Sequence, residues 1–226
     1  MADGITMLRV RKILESDPTR RYVVVSAPGK RFSGDVKVTD LLYETYDNVS
    51  LRGETGEAFE KICERFRGIV SELGLNMDVD ALLAQTGAEI LREATPDFCA
   101  SRGEYLSARI MAQLLDVPFI DARDVVKFGA DGRLDGEKTY ALLAAALKGK
   151  KRAVVSGFYG EDVNGKVKTF SRGGSDVSGA IVARAAGADL YENWTDVSGF
   201  LACDPRIVDN PVPIRALSYK ELRELS

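Results

Sequence analysis

Two short runs constrain what this chain can fold into. Tyr22-Val23-Val24-Val25 and Ala153-Val154-Val155 are apolar on consecutive residues and rich in β-branched side chains. A strand with one wet face alternates; a run apolar on both faces suits a strand buried on both sides of a parallel sheet. Each run stops on turn-forming residues, Ser26-Ala27-Pro28-Gly29 and Ser156-Gly157. Before the first run, residues 3–16 read as an amphipathic helix, with Ile5, Leu8 and Ile13 inward and Arg9, Arg11 and Lys12 outward, ended by Asp17-Pro18. Helix, strand and loop in that order predict βαβ architecture. The strand such a fold would place before this helix is absent from the sequence.

Between the two runs the pattern is helical. Residues 37–47, 54–73, 79–92 and 98–115 read as helices, the second being the clearest: Phe59, Ile62, Cys63, Phe66, Ile69 and Val70 recur at helical spacing. A strand is expected at residues 118–121 and a helix at 136–147. Asn164-Gly165 predicts a β-hairpin over residues 161–170, because both turn positions tolerate positive φ. A helix over 175–186, a strand over 189–194 and a helix beginning at Tyr219 complete the expectation.

With 226 residues the chain fits one large domain or at most two small ones. A net charge of −3, with Lys and Arg dispersed, gives no electrostatic case for nucleic acid. No apolar run reaches the roughly 18 residues that a membrane helix needs, and the first residues carry no signal-peptide pattern. Cys63, Cys99 and Cys203 lie far apart and outside metal spacing, so they read as reduced, mostly buried thiols of a cytosolic protein. The sequence holds no histidine. Histidine-based triads and imidazole zinc sites are thereby excluded, and chemistry must run on carboxylates, Lys, Arg, hydroxyls, backbone dipoles or a bound cation.

The organising stretch for function is Thr169-Phe170-Ser171-Arg172-Gly173-Gly174-Ser175-Asp176. Two glycines let the backbone turn sharply and approach a ligand. The helix that follows aims N–H groups and positive dipole at one point, a device for phosphate or carboxylate. A plain strand–helix turn explains the same residues. In open α/β sheets ligands lie beyond the carboxyl ends of the strands, and loops 26–30, 156–159, 172–176 and 195–199 are each expected there. Arg172 and Arg206 offer forks for carboxylate or phosphate; Asp176 and Asp196 offer oxygens for Mg²⁺ or a substrate amine. Neither a P-loop nor a Gly-x-Gly-x-x-Gly pattern occurs. Ser101-Arg102-Gly103-Glu104 reads by spacing as a helix-capping box, although Glu104 could instead bind an amino group. Lys30, Lys37, Lys166 and Lys168 read as solvated.

Taken in order, these residues resemble the catalytic domain of aspartate kinase, in the amino-acid kinase superfamily. The resemblance rests on Thr169-Phe170-Ser171-Arg172-Gly173-Gly174-Ser175-Asp176, Trp194-Thr195-Asp196-Val197-Ser198-Gly199-Phe200, Asp204-Pro205-Arg206, Ser101-Arg102-Gly103-Glu104, Val23-Val24-Val25-Ser26-Ala27 and Lys37-Val38-Thr39-Asp40-Leu41-Leu42, nearly end to end. It implies an α/β three-layer αβα sandwich with a mostly parallel central sheet, of the carbamate-kinase-like type. It further implies phosphorylation of the β-carboxylate of L-aspartate by Mg-ATP in the cytoplasm, the first step towards lysine, threonine and methionine. Arg172 would clamp the α-carboxylate and Glu104 would hold the α-amino group, a role compatible with capping. Ser26 and Thr39 would line the aspartate site, Gly173, Gly174 and Ser175 would shape the loop, and Asp176 would orient substrate and charge. Thr195, Asp196, Phe200 and Arg206 match nucleotide-side positions; no protein ligand for the metal is assigned. No nucleic-acid or membrane partner is implied, and homo-oligomerisation stays open.

The family opens with a strand carrying Lys-Phe-Gly-Gly-Thr/Ser-Ser, just before the point where Met1-Ala2-Asp3-Gly4 aligns, and it continues into regulatory ACT domains. Residues 1–226 are therefore expected to be an incomplete catalytic domain of low or no turnover. Two other readings stay open: a non-catalytic ligand-binding or regulatory module that pairs with a full-length subunit, and a related kinase acting on another acid.

Overall fold

The computed structural model describes residues 1–171, 173–195, 199, 201–204, 207–218 and 220. They fall into two compact units, Met1–Tyr191 and Glu192–Ser226. The first unit runs α1 (Gly4–Glu15), β1 (Tyr22–Val25), α2 (Val38–Arg52), α3 (Gly56–Leu73), α4 (Val79–Glu93), α5 (Pro96–Leu115), β2 (Phe119–Ile120), α6 (Ala122–Val125), α7 (Gly136–Leu147), β3 (Ala153–Ser156), β4 (Tyr159–Glu161), β5 (Val167–Thr169) and α8 (Gly174–Ala186).

The apolar runs become the expected parallel sheet, in the order β1-β3-β2. Tyr22 pairs with Ala153 and Val25 with Ser156, while Ile120 pairs with Val155. This register brings the carboxyl ends of all three strands to one edge. Helix α5 packs on the strands and carries α2 on its other side, and α8 packs on β1 beside α7, so helices pack around the sheet. Only β3 is buried along its whole length; β1 is half-buried except at Val25. The expectation that β1 is covered on both faces is thus corrected. Central β3 has a neighbour on each side, whereas β1 stands at an edge of the described sheet.

Helix α1 starts at a reciprocal cap: Asp3 Oδ1 accepts from the Thr6 N–H at 2.8 Å, and the Asp3 N–H donates to Thr6 Oγ1 at 3.2 Å. Its inward face is not the one expected. Ile5 is 59 % exposed while Gly4 and Met7 are buried. The Gly4 N–H donates to Glu72 Oε2 of α3 at 2.7 Å, and this close approach rotates the helix to bury Gly4 instead. Helix α3 buries all six residues of its predicted stripe and two more, Ala58 and Arg65. The Asn164-Gly165 hairpin forms with β4 and β5 antiparallel, Tyr159 opposite Thr169. It is held to α4 and α6 by Arg123, whose guanidinium reaches Glu93 at 3.1 Å, Glu161 at 3.3 Å and the Gly165 carbonyl at 2.6 Å.

The strand expected over residues 189–194 does not form; residues 188–195 carry no strand or helix. A strand needs a ladder partner, and the described strands give this segment none. Tyr191 instead folds back on α8, its hydroxyl donating to the Asp176 carbonyl at 3.2 Å across Gly179. In the second unit an isolated antiparallel bridge joins Leu201 and Pro213. The helix expected from Tyr219 lies outside the described residues.

Candidate active site

The site is built where β1 and β3 end. Helix α5 begins at Thr95, whose hydroxyl accepts from the Phe98 N–H at 3.2 Å, with Pro96 in the first turn. The helix therefore starts well before Ser101, and the capping-box reading of Ser101–Glu104 is overturned: both residues lie inside the helix and are buried. Ser101 Oγ donates to the Phe98 carbonyl at 2.6 Å instead. At Gly103 the absence of a side chain lets the loop after β1 sit directly on α5; a Cβ there would stand 2.7 Å from that of Ala27 and 3.5 Å from Val38 Cγ1. That approach brings the loop carrying Ser26 and Ala27, and the start of α2 with Thr39, onto the face of α5 that holds Glu104.

Glu104 is nearly fully buried, and one carboxyl oxygen, Oε2, has no hydrogen-bond partner. Burial pushes its pKa up to about 7, while the nearby Ala27 N–H and Ser175 hydroxyl pull the other way. Ser175 arrives on the glycine turn. Gly173 takes the left-handed conformation at φ 76° and leads into α8. At Gly174 a Cβ would lie 2.5 Å from the Phe158 ring and 2.9 Å from Phe170, so only glycine lets the helix start this close to the sheet. The end of β3 closes the same corner: a Cβ on Gly157 would stand 2.9 Å from the Val25 carbonyl and 3.2 Å from Ser175 Oγ. Phe158 sits at φ 77°, a rare conformation for a bulky residue. It is fixed on both sides, its N–H donating to Ser178 Oγ at 2.9 Å and its carbonyl accepting from Phe170 N–H at 2.8 Å.

Of the predicted site residues, Glu104, Ser175, Gly173 and Gly174 converge, with Ser26 and Thr39 on the loop and helix laid against Gly103. Asp176 is exposed in the first turn of α8. Arg172, Asp196, Phe200 and Arg206 lie outside the described residues, and Thr195 belongs to the second unit. The expected loop 195–199 follows no strand among the described residues. Lys30, Lys37 and Lys166 are exposed as expected, whereas Lys168 is half-buried with its ammonium over the Phe128 ring.

Sequence reasoning missed two groups. Tyr43, one turn after Thr39 in α2, has its phenol's pKa raised by burial and then by the charges of Asp97 and Glu104. Thr169 Oγ1 donates to Asp97 Oδ1 at 2.8 Å, tying β5 to the start of α5. The signal for Tyr43 was its spacing of one helical turn from Thr39. Asp97 reads in sequence as an ordinary first-turn acid.

Chemically, the corner pairs a buried carboxyl group, one oxygen of which lacks a donor, with a helix N-terminus that favours an anion. An ammonium at the first and a carboxylate at the second describe an amino acid. Among the described residues no three acidic or thiol groups cluster as a metal cage. Mg²⁺ carried on nucleotide phosphates needs no such cage, since it keeps waters and few protein ligands.

A model of the amino acid kinase family matches residues 3–226. The chain belongs to the amino acid kinase family. Within it, the chain is 33 % identical over 240 residues to aspartokinase 3 of Bacillus subtilis, covering all of this chain and 53 % of that protein. It is 29 % identical over 250 residues to the lysine-sensitive aspartokinase 3 of Escherichia coli, again over 100 % of this chain and 53 % of the relative. The chain thus spans about half the length of the curated relatives it matches. Among solved structures, the aspartate kinase of Clostridium acetobutylicum superposes with a TM-score of 0.93 at 47 % identity, covering 100 % of this chain and 52 % of that one. E. coli aspartokinase III in complex with aspartate and ADP gives a TM-score of 0.79 at 27 % identity, over 94 % and 51 % of the two chains. The family's α/β fold, expected from the sequence, is therefore the fold of this chain.

Proposed function

We propose that this chain is the catalytic part of an aspartate kinase, transferring the γ-phosphoryl group of Mg-ATP to the β-carboxylate of L-aspartate. The observation that carries the reading is the buried Glu104 carboxyl, one oxygen of which has no donor, with Ser175 of the first turn of α8 beside it. Its chemistry calls for a substrate cation within a pocket that also attracts an anion, and a relative at 27 % identity was solved with aspartate and ADP.

In this reading the α-ammonium donates to Glu104, and Arg172 clamps the α-carboxylate with its fork. Ser26, Thr39 and the turn Gly173-Gly174-Ser175 shape the pocket, and Asp176 orients charge at its rim. Thr195, Asp196, Phe200 and Arg206 serve the nucleotide side. A β-carboxylate oxygen attacks the γ-phosphorus in line, the bond to the bridging oxygen breaks, and ADP leaves with that electron pair. Aspartate's side chain is already ionised at neutral pH, so no base is required, and catalysis consists of positioning and charge neutralisation. The acyl phosphate produced would open the route to lysine, threonine and methionine in the cytoplasm.

The test is trapping of aspartyl phosphate as its hydroxamate, with the 226-residue chain, L-aspartate and Mg-ATP. Hydroxamate at a low rate that depends on both substrates and is lost in Arg172→Ala is expected. Product from glutamate but not aspartate, or Arg172→Ala with unchanged aspartate affinity, would overturn the assignment.

A further inference from the structure

The loop between β1 and α2 is held from outside the pocket. Residues 29–36 close around one carboxylate: Asp35 Oδ2 accepts from the Arg31 backbone N–H and from Arg31 Nε, both at 2.9 Å, and Oδ1 accepts from Arg31 Nη2 at 3.0 Å. Across the neck of this turn stands Arg65 of α3, its side chain 5 % exposed. Arg65 Nη2 donates to Asp35 Oδ2 at 2.6 Å and to the Val36 carbonyl at 3.4 Å. Nη1 donates to the carbonyls of Gly29 at 3.1 Å and Ala2 at 3.5 Å. Gly29 lies three residues after Ser26, and Val36 three residues before Thr39. One guanidinium therefore ties together the two arms of chain that run into the pocket.

A buried ion pair is a poor way to gain stability, because desolvation offsets most of its attraction. Burial is also the main influence on Arg65, and it lowers that group's pKa. What a guanidinium offers that a leucine does not is direction: five N–H donors in a fixed plane. Here that plane is spent on loop carbonyls and on the carboxylate at the loop's centre.

We infer that Arg65, acting through Asp35 and the carbonyls of Gly29 and Val36, is a positioning residue for the amino-acid pocket, setting the loop that carries Ser26, the Ala27 N–H and Thr39 against Glu104. The inference rests on reading that pocket as the aspartate site. It makes α3, which lines no part of the pocket's described residues, a determinant of amino-acid affinity.

The experiment compares the 226-residue chain with Arg65→Gln, Arg65→Lys and Asp35→Asn. Calorimetry measures L-aspartate and ATP separately, and amide hydrogen exchange follows residues 26–39 and α5. In Arg65→Gln, aspartate binding weakens roughly tenfold to a hundredfold, the range that a displaced positioning element costs. ATP affinity stays within about twofold, since nothing on the nucleotide side has moved, and exchange quickens over 26–39 but not in α5. Arg65→Lys, which keeps the charge but loses the fork, falls between, and Asp35→Asn shifts in the same direction; these two milder changes carry the test if Arg65→Gln does not fold. Unchanged aspartate affinity with unchanged loop exchange would overturn the inference. So would equal losses for both ligands with faster exchange throughout, the mark of a purely structural residue. Faster loop exchange in a chain whose parent binds no aspartate would keep the clamp and overturn the substrate reading instead.

Discussion

Glu104 carries opposed demands. Its pKa, near 4.5 in an unfolded chain, rises to about 7 in the fold. The folded chain therefore binds this proton more tightly, so the group favours folding at low pH and its contribution fades as pH climbs from about 4.5 through 7. The full swing is roughly 3 kcal/mol at about 1.4 kcal/mol for each pKa unit. Glu104→Gln removes it: denaturant titrations at pH 5 and pH 8 should show the variant gaining on the parent by up to that amount between the two. The same change should weaken aspartate binding by roughly 10- to 100-fold at pH 8, the loss of one charge-assisted hydrogen bond. A parent whose stability is flat over that pH range would contradict the buried carboxyl. Little of this was legible in the sequence. Ser101-x-x-Glu104 matches a cap by spacing even though the helix read over 98–115 encloses it, and the start of α5 at Thr95-Pro96 decides for the helix interior. Arg65 was legible in hindsight, as a cation within the apolar stripe of Ile62, Phe66 and Ile69.

At the scale of elements, the glycine turn depends on the strand end beneath it. Ser178 Oγ accepts from the strained Phe158 N–H and donates to the Gly174 carbonyl at 2.8 Å, linking β3 to the first turn of α8. Ser178→Ala removes both bonds and leaves a poorly solvated N–H, at a cost of about 1–3 kcal/mol. Urea unfolding should show a lower midpoint at unchanged slope, and aspartate binding should weaken because the turn loses its support. A midpoint equal to the parent's would show that the Phe158 conformation is held without Ser178. Periodicity found the longer helices, most clearly α3 with its buried stripe, though it misassigned the inward face of α1 and missed the short α6; Asn164-Gly165 found the hairpin. It failed where partners decide the outcome: residues 189–194 have strand-like composition but no ladder to join, and β1 is less covered than its sequence suggests.

For the whole molecule, the division into Met1–Tyr191 and Glu192–Ser226 follows the distribution of apolar burial. No described residue after Val182 belongs to the buried core. Limited proteolysis should therefore cut first within residues 192–218, leaving a resistant fragment near 1–191 whose melting temperature matches the parent's; early cleavage inside α3 or α5 would contradict this. The sheet also sets an order of events during synthesis. Ala153 lies 131 residues after its partner Tyr22. At about 5–20 residues per second a ribosome needs roughly 7–26 s to deliver β3 after β1 has been made. Through that interval Val23-Val24-Val25 waits for β3, its partner among the described strands, while the helices of residues 38–115 can already close local contacts. A nascent chain is thus expected to gather helical structure first and to leave the apolar run of β1 waiting for β3 until translation passes Ser156.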